Sequence, residues 1–265
     1  MIDFLHTYIP HSIAVQWGFL TIRWYGVLMV LAISIAVLVA YRVLCRQQAL
    51  NRERFFDLVF YVVLTGLLGA RIYAVLLEWR YFLSNPFEII AVWHGGLAIH
   101  GALIGGLLAT WLWAKKNRVS FFLLLDSFAL GIPFGQAIGR WGNYFNQELF
   151  GTPTNVAWGI PIQIHARPAA FANATHFHPT FLYESFLNIC TGVVLYVVYR
   201  YFRPSSGVLT ALYLGLYGII RICMEQLRTD PAPLVLWWRL PVLVSGAMIV
   251  ISIAMLILSR KKNVV

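Results

Sequence analysis

The chain has 265 residues, of which 60% are hydrophobic and 11% are charged. Soluble domains are usually about half apolar and about a quarter charged, so this composition excludes an ordinary water-soluble globule and indicates a membrane protein. The formal net charge of +10 would suggest nucleic-acid binding in a soluble protein, but it could equally mark the cytoplasmic ends of membrane helices.

Seven long apolar segments follow one another along the chain, and a membrane crossing takes about 20 such residues. They lie near residues 17–40, 55–77, 95–114, 121–141, 180–199, 207–225 and 239–259. The sequence therefore predicts an all-α integral membrane protein with seven transmembrane helices, built as a single membrane-embedded domain over residues 1–265. Residues 1–10 contain no Lys or Arg, so we do not expect a cleaved signal peptide there.

Basic residues are distributed unevenly between the two sets of connections. Twelve of the twenty lie in alternate connections: Arg42, Arg46, Arg52, Arg54, Lys115, Lys116, Arg118, Arg200, Arg203, Arg260, Lys261 and Lys262. The positive-inside rule then predicts an external N-terminus and a cytoplasmic C-terminus. The one long connection, residues 142–178, lies outside in this topology, and we expect it to form a small external subdomain between helices four and five.

Four arginines fall within the apolar segments, namely Arg23, Arg71, Arg140 and Arg221. An ionisable residue at this depth costs at least about 2.5–3.5 kcal/mol on insertion scales, so each is a candidate for a functional site, for a structural ion pair or for snorkelling. A helical rise of about 1.5 Å per residue places most of them in the outer half of the membrane. The same depth is predicted for Tyr25, His100 and Glu184.

Fewer acidic than basic residues are predicted at this depth, which leaves positive charge to be balanced. Arg221 and Glu225 are four residues apart and share a helix face, whereas Asn143 and Glu148 follow Arg140 as the chain leaves the membrane. A phospholipid phosphate is an anion available at that depth, and arginine binds phosphate oxygens bidentately. The sequence therefore indicates a binding site for an anionic lipid.

Glycines and histidines form a second group, from His94 to Gly101. His100 has two open interpretations, a packing residue or a general base, because a neutral imidazole can take a proton from a thiol at physiological pH. Gly131, Gly135 and Gly139 form a small-residue stripe that favours close helix packing over chemistry. The cysteines Cys45, Cys190 and Cys223 have no metal-like spacing, so we expect neither a metal site nor a disulfide framework.

The segment from Gly139 to Gly151, GRWGNYFNQELFG, resembles the signature of bacterial prolipoprotein diacylglyceryl transferases. The resemblance extends in order over nearly the whole chain, through Arg23–Gly26, Gly69–Arg71, His94–Gly101, Ile132–Gly135, His178–Glu184 and Tyr217–Glu225. One segment departs from it. Members of the family often carry Met-Gly-Gln before the last helix, where this chain reads Leu236–Pro241, LWWRLP.

The resemblance implies a seven-helix enzyme of the bacterial inner membrane that needs no metal or cofactor. Such an enzyme transfers diacylglyceryl from phosphatidylglycerol to the lipobox cysteine of a prolipoprotein, forming a thioether and releasing glycerol phosphate. Its motifs imply that Tyr25, Asn143, Glu148 and Gly151 surround the head group and that Glu225 orients Arg221.

On this hypothesis Arg140 and Arg221 hold the phosphate and His100 deprotonates the cysteine thiol. Arg71 and Glu184 are added as substrate-binding residues from their predicted depth. The alternative is a polytopic transporter of an anion or a lipid, because buried arginines also line transport paths. Transporters often contain paired interrupted helices in two halves, and no such internal symmetry is visible here.

Overall fold

The computed structural model describes residues 2–18, 20–46, 49–235 and 237–262, and most of them are helical. Leu236, from the segment that departs from the family pattern, lies outside the described residues. The described part of the chain contains nine α-helices: α1 (Ile2–Thr7), α2 (Trp24–Arg46), α3 (Arg52–Leu77), α4 (Trp79–Ser84), α5 (Ile99–Asn117), α6 (Phe121–Asn146), α7 (Thr180–Val197), α8 (Val208–Glu225) and α9 (Leu240–Lys262).

Among the described residues, six short strands pair antiparallel, two by two. They are β1 (Ile13–Trp17) with β2 (Leu20–Arg23), β3 (Ile160–Pro161) with β4 (His176–Phe177), and β5 (Leu234–Val235) with β6 (Trp238–Arg239). The first pair corrects the predicted start of the first span at residue 17, because Ile13–Trp17 and Leu20–Arg23 form this pair and α2 begins only at Trp24. Arg23 is therefore the exposed last residue of β2, outside the helix.

Each of the seven predicted spans contains one long helix, and six of these helices are long and apolar enough to cross a membrane. The six candidate spans among the described residues are Trp24–Cys45, Arg52–Leu77, Phe121–Asn146, Thr180–Phe202, Val208–Glu225 and Leu240–Ser259. Helix α5 is not among them, because His100, Lys115 and Lys116 near its ends lower its mean hydropathy. The structure thus supports a helical membrane protein with several spans.

The chain divides into two compact units, the first formed by residues 1–40 and 128–265 and the second by residues 41–127. In the second unit, α3 and α5 approach backbone to backbone. A Cβ added to Gly101 would overlap the carbonyl oxygen of Gly69, and Thr65 Oγ1 donates a hydrogen bond to the Gly105 carbonyl at 3.1 Å. Such small-residue contacts are typical of helix pairs in membranes.

In the first unit, the glycine stripe of α6 packs against α2. A Cβ added to Gly131 would overlap the carbonyl oxygen of Ala36, and one added to Gly135 would lie 2.9 Å from that of Ala32. The packing interpretation of the stripe is confirmed at these two positions. Helices α8 and α9 also pack together, with Ser252 Oγ donating to the Ala211 carbonyl at 2.6 Å.

The segment between α6 and α7 is irregular and has its own apolar core. Phe150, Ile160, Ile162 and Phe177 are buried there, together with Leu5 of α1. This is the segment that the sequence assigns to an external subdomain, and its position outside the membrane stays a prediction.

Gly105→Ala tests the close packing of α3 on α5. We expect it to lower the free energy of unfolding by about 1–3 kcal/mol, because the new Cβ meets the backbone of Thr65, which cannot move aside. Gly106→Ala is the matched control, since a Cβ there makes only ordinary van der Waals contacts with Val62, 3.7 Å from its side chain and 4.0 Å from its carbonyl oxygen. Thermal unfolding in detergent micelles measures both, and equal melting temperatures would contradict the packing described.

Candidate functional site

Glu184 on α7 is the centre of a buried cluster of charges in the first unit. Its side chain is 3% exposed and pairs with two arginines: Oε2 lies 2.6 Å from Nη2 of Arg140 on α6, and Oε1 lies 3.2 Å from Nη1 of Arg228. Arg228 follows α8 and is as buried as Glu184. A carboxylate in this position is stable only because both of its oxygens face cations.

Glu225 at the end of α8 repeats this arrangement. Its side chain is 2% exposed, and Oε2 lies 2.8 Å from Nη2 of Arg221, one turn earlier on the same helix. Oε1 lies 2.8 Å from Nε of Arg239, the last residue of β6. The two oxygens are at ion-pair distance but make no hydrogen bond of regular geometry among the described residues.

Asp230 connects the two carboxylate centres. Its Oδ1 lies 2.8 Å from Nε of Arg228, and its backbone carbonyl accepts a hydrogen bond of 2.7 Å from Nη2 of Arg239. Nη1 of Arg239 also donates to the Arg228 carbonyl at 3.4 Å. We call this group the arginine network, and its members are Arg140, Arg221, Arg228, Arg239, Glu184, Glu225 and Asp230.

The arginine network carries a surplus of positive charge. It joins four arginines to three carboxylates through its five ion pairs, so its formal net charge is one positive. One guanidinium nitrogen is also unused: Nη1 of Arg221 is buried and has no hydrogen-bond partner among the described residues. A buried N–H without a partner is costly, and an anion placed against it would satisfy both the donor and the surplus charge.

The turn after α6 contains the other polar residues predicted for the site. Asn143 donates from Nδ2 to Oε1 of Glu148 at 3.0 Å, and Asn146 donates to the same oxygen at 3.3 Å. Tyr25 at the start of α2 lies on Gly142, where an added Cβ would come within 2.7 Å of the ring. Tyr25 is also within electrostatic range of Glu148 and Arg140.

Gly151 connects this turn to the arginine network. Its N–H donates to the His178 carbonyl at 2.9 Å, and the residue forms a bridge with Arg228. An added Cβ would lie 2.7 Å from Cβ of His178 and 3.1 Å from the Leu227 carbonyl. Only glycine lets these backbones approach, and their approach fixes the position of Arg228.

Arg71 and His100 belong to the second unit, and the arginine network belongs to the first. Arg71 is buried, and its guanidinium donates to the carbonyls of Glu88, Ile89, Gly95 and Gly96. These bonds tie the connection between α4 and α5 to α3. With every nitrogen of its guanidinium already donating to the backbone, Arg71 is not suited to bind a lipid phosphate.

His100 lies at the start of α5 and is exposed. Its ring is 5.9 Å from that of Tyr73, and its nitrogens make no hydrogen bond to any described residue. His94 differs, because its Nδ1 lies 3.0 Å from Oε2 of Glu88. His100 is therefore the histidine of this pair with both ring nitrogens available.

Arg228 and Arg239 are members of the network that the sequence interpretation did not select. Both lie in a connection between predicted spans, where an arginine is ordinarily solvated. The charge pattern could have indicated them. Each of the carboxylates Glu184 and Glu225 has two oxygens, whereas the sequence pattern offers each at most one cationic partner. Glu184 was selected from depth, and the structure places it between Arg140 and Arg228.

Comparisons with known proteins agree on one family. The family described as prolipoprotein diacylglyceryl transferase matches residues 12–258. A phosphatidylglycerol–prolipoprotein diacylglyceryl transferase from Synechococcus elongatus is 41% identical over 226 residues, which cover 83% of this chain and 78% of the relative. The enzyme of the same name from Trichormus variabilis is 42% identical over 83% of this chain and 80% of its own. The enzyme of the same name from Thermotoga maritima is 41% identical over 80% of this chain and 73% of its own.

Glu184→Gln tests the ion pairs of the network. We expect the free energy of unfolding to fall by roughly 3–5 kcal/mol, because the buried Arg228 and the partly buried Arg140 lose their shared partner. Asp230→Asn is the control, since Asp230 is 26% exposed and its loss should cost no more than about 1 kcal/mol. Denaturant titration in micelles measures both, and an unchanged midpoint for Glu184→Gln would show that these pairs do not stabilise the fold.

Proposed function

The chain belongs to the prolipoprotein diacylglyceryl transferase family, and we propose that its arginine network holds the lipid phosphate while diacylglyceryl passes from phosphatidylglycerol to a prolipoprotein. The observation that carries this proposal is the surplus positive charge together with the free Nη1 of Arg221. The phosphodiester of phosphatidylglycerol has one negative charge, which matches the surplus of the arginine network. Glu148 is not counted in that network, because its carboxylate accepts hydrogen bonds from Asn143 and Asn146 and forms no ion pair among the described residues.

Arg140 and Arg221 are the two arginines that bind the phosphate. Each has one guanidinium nitrogen paired with a carboxylate, at 2.6 Å for Arg140 and 2.8 Å for Arg221, and each side chain is only partly buried. Glu184 and Glu225 therefore act as positioning residues that fix the guanidinium planes. As glycerol phosphate leaves, its charge increases, and donors already oriented towards it stabilise that charge without reorganisation.

The acceptor in this reaction is the thiol of the prolipoprotein cysteine. We assign His100 as the base, since its imidazole is exposed and free of partners among the described residues. The proton passes from sulfur to a ring nitrogen of His100. The thiolate attacks the carbon of the diacylglyceryl group that is bonded to the phosphate oxygen. A carbon–sulfur bond forms, the carbon–oxygen bond breaks, and its electron pair leaves with glycerol phosphate.

Four further residues support the head-group end of the site. Tyr25, Asn143 and Glu148 offer a hydroxyl, an amide and a carboxylate near Arg140, which are groups that can bind the glycerol hydroxyls of the head group. Gly151 acts through the backbone approach that places Arg228. Arg71 is reassigned from substrate binding to fixing the α4–α5 connection, because its donors are engaged.

The topology belongs to the same proposal. Helix α5 is the seventh span, since it lies between spans α3 and α6 and its charged residues are confined to its ends. Seven spans with the basic connections inside give an external N-terminus and a cytoplasmic C-terminus in the bacterial inner membrane. Residues 1–265 then form one catalytic domain, with 142–178 as its external subdomain.

Arg140→Gln tests phosphate binding. We expect transfer to fall by at least about a hundredfold, because a donor aimed at developing charge is commonly worth 10²–10³ in rate. The assay uses purified protein, phosphatidylglycerol and a lipobox peptide, and reads the mass added to the peptide. Arg80→Gln is the control, since Arg80 is exposed and lies over the ring of Trp79. A folded Arg140→Gln variant with the normal rate would overturn the assignment.

His100→Gln tests the base. In the wild type kcat/KM should rise with pH as the base loses its proton, and the variant should lose this rise together with about 10²–10⁴ of the rate. His94→Gln should keep the rise, because Glu88 already occupies Nδ1 of His94. If the pH profile of His100→Gln has the shape of the wild-type profile, another group removes the proton.

A further inference from the structure

We propose that Arg239 is a positioning residue for lipid binding: it neutralises Glu225 and thereby leaves Nη1 of Arg221 available to the phosphate. The inference rests on the proposed function and extends it to a residue in the segment that departs from the family pattern, Leu236–Pro241. Three features of the structure carry it, namely the shared carboxylate, the local anchoring of Arg239 and the charge of the network.

The shared carboxylate is that of Glu225. Its two oxygens are divided between two cations, with Oε2 near Arg221 and Oε1 near Arg239, each at 2.8 Å. Because Glu225 is 2% exposed, water cannot replace a missing partner. Without Arg239, the only ion-pair partner of this carboxylate among the described residues would be Arg221, and both nitrogens at the end of that guanidinium would be drawn towards it.

Arg239 is held in place by the chain around it. It ends β6, where it pairs with Leu234 of β5, and the next residue begins α9 with its N–H donating to the Pro233 carbonyl at 2.8 Å. Its guanidinium then uses Nε for Glu225, Nη2 for the Asp230 carbonyl and Nη1 for the Arg228 carbonyl. Since every nitrogen is engaged, Arg239 influences the lipid through Arg221 and not by direct contact.

The net charge of the arginine network also depends on Arg239. With Arg239, four cations face three carboxylates, and the surplus matches a singly charged phosphodiester. If Arg239 were neutral, the charges within the network would balance. A bound phosphate would then give the network an excess of negative charge in a buried site, where water screens charge poorly. Weaker binding of anionic lipid is therefore the expected effect of removing this charge.

The test compares wild type, Arg239→Gln and Arg239→Lys in transfer and in binding. We expect Arg239→Gln to raise KM for phosphatidylglycerol about tenfold, the weight of one charge-assisted contact, with kcat within about twofold of the wild-type value. Arg239→Lys should restore most of the affinity, because the ammonium still neutralises Glu225. Arg80→Gln is the matched control. An Arg239→Gln variant that melts earlier but has an unchanged KM would overturn the proposal.

The background variant Glu225→Gln separates positioning from direct contact. Binding is measured by flotation of the protein with vesicles of phosphatidylglycerol in phosphatidylcholine, against phosphatidylcholine alone. With both substitutions the network keeps three arginines and two carboxylates, which is the wild-type surplus of one charge, so the double variant should show about the wild-type preference for anionic lipid. A preference well below the wild-type value would show that Arg239 binds the lipid itself and would overturn the inference. This comparison also carries the test if Arg239→Gln alone does not fold.

The two proposals fail in distinguishable ways. If the wild type binds phosphatidylglycerol in an Arg239-dependent manner but adds no mass to the lipobox peptide, the assigned transfer chemistry is wrong and the inference holds. If the wild type transfers diacylglyceryl and Arg239→Gln has the same KM and the same vesicle binding, the inference is wrong and the proposed function holds.

Discussion

The sharing of two buried carboxylates among four arginines is the interaction on which the site depends. Glu184 and Glu225 are at most 3% exposed, and each faces two guanidinium groups across distances of 2.6–3.2 Å. In a low-dielectric environment neither the acids nor the arginines would be stable alone. Together they connect α6, α7 and α8 to the chain after α8, and they orient Arg140 and Arg221 without using all of their donors.

Much of this could be predicted from the sequence because membranes make charges conspicuous. An arginine or a glutamate within an apolar segment is costly, so Arg140, Arg221 and Glu184 were identifiable from their position alone, and Glu225 from its spacing to Arg221. The seven apolar segments each contain a long helix for the same reason. Arg228 and Arg239 were missed because a connection normally leaves arginine in water, and the return of these two residues to the end of α8 depends on tertiary contacts that no local pattern indicates.

The sequence allows an estimate of how deep a residue lies along a membrane helix. It does not indicate which side of the helix faces a neighbour or how the connections fold. Arg71 was predicted from its depth as a substrate-binding residue of the outer half of the membrane. In the structure it is buried, and its partners are carbonyls of residues 88–96, which are available because that connection folds onto α3. Arg23 was placed in a helix because its neighbours are apolar, although the alternation of residues 13–23 suits a strand pair. The surroundings of both residues depend on backbone groups, which the side-chain pattern does not report.

The central claim is that the arginine network receives one lipid phosphate. A high-resolution structure of the protein with bound phosphatidylglycerol tests it most directly. We expect the phosphate between Arg140 and Arg221, with one of its oxygens about 3 Å from Nη1 of Arg221, the usual length of a hydrogen bond, and with Glu225 still shared with Arg239. A phosphate bound elsewhere, with Nη1 of Arg221 turned to a protein group, would contradict it.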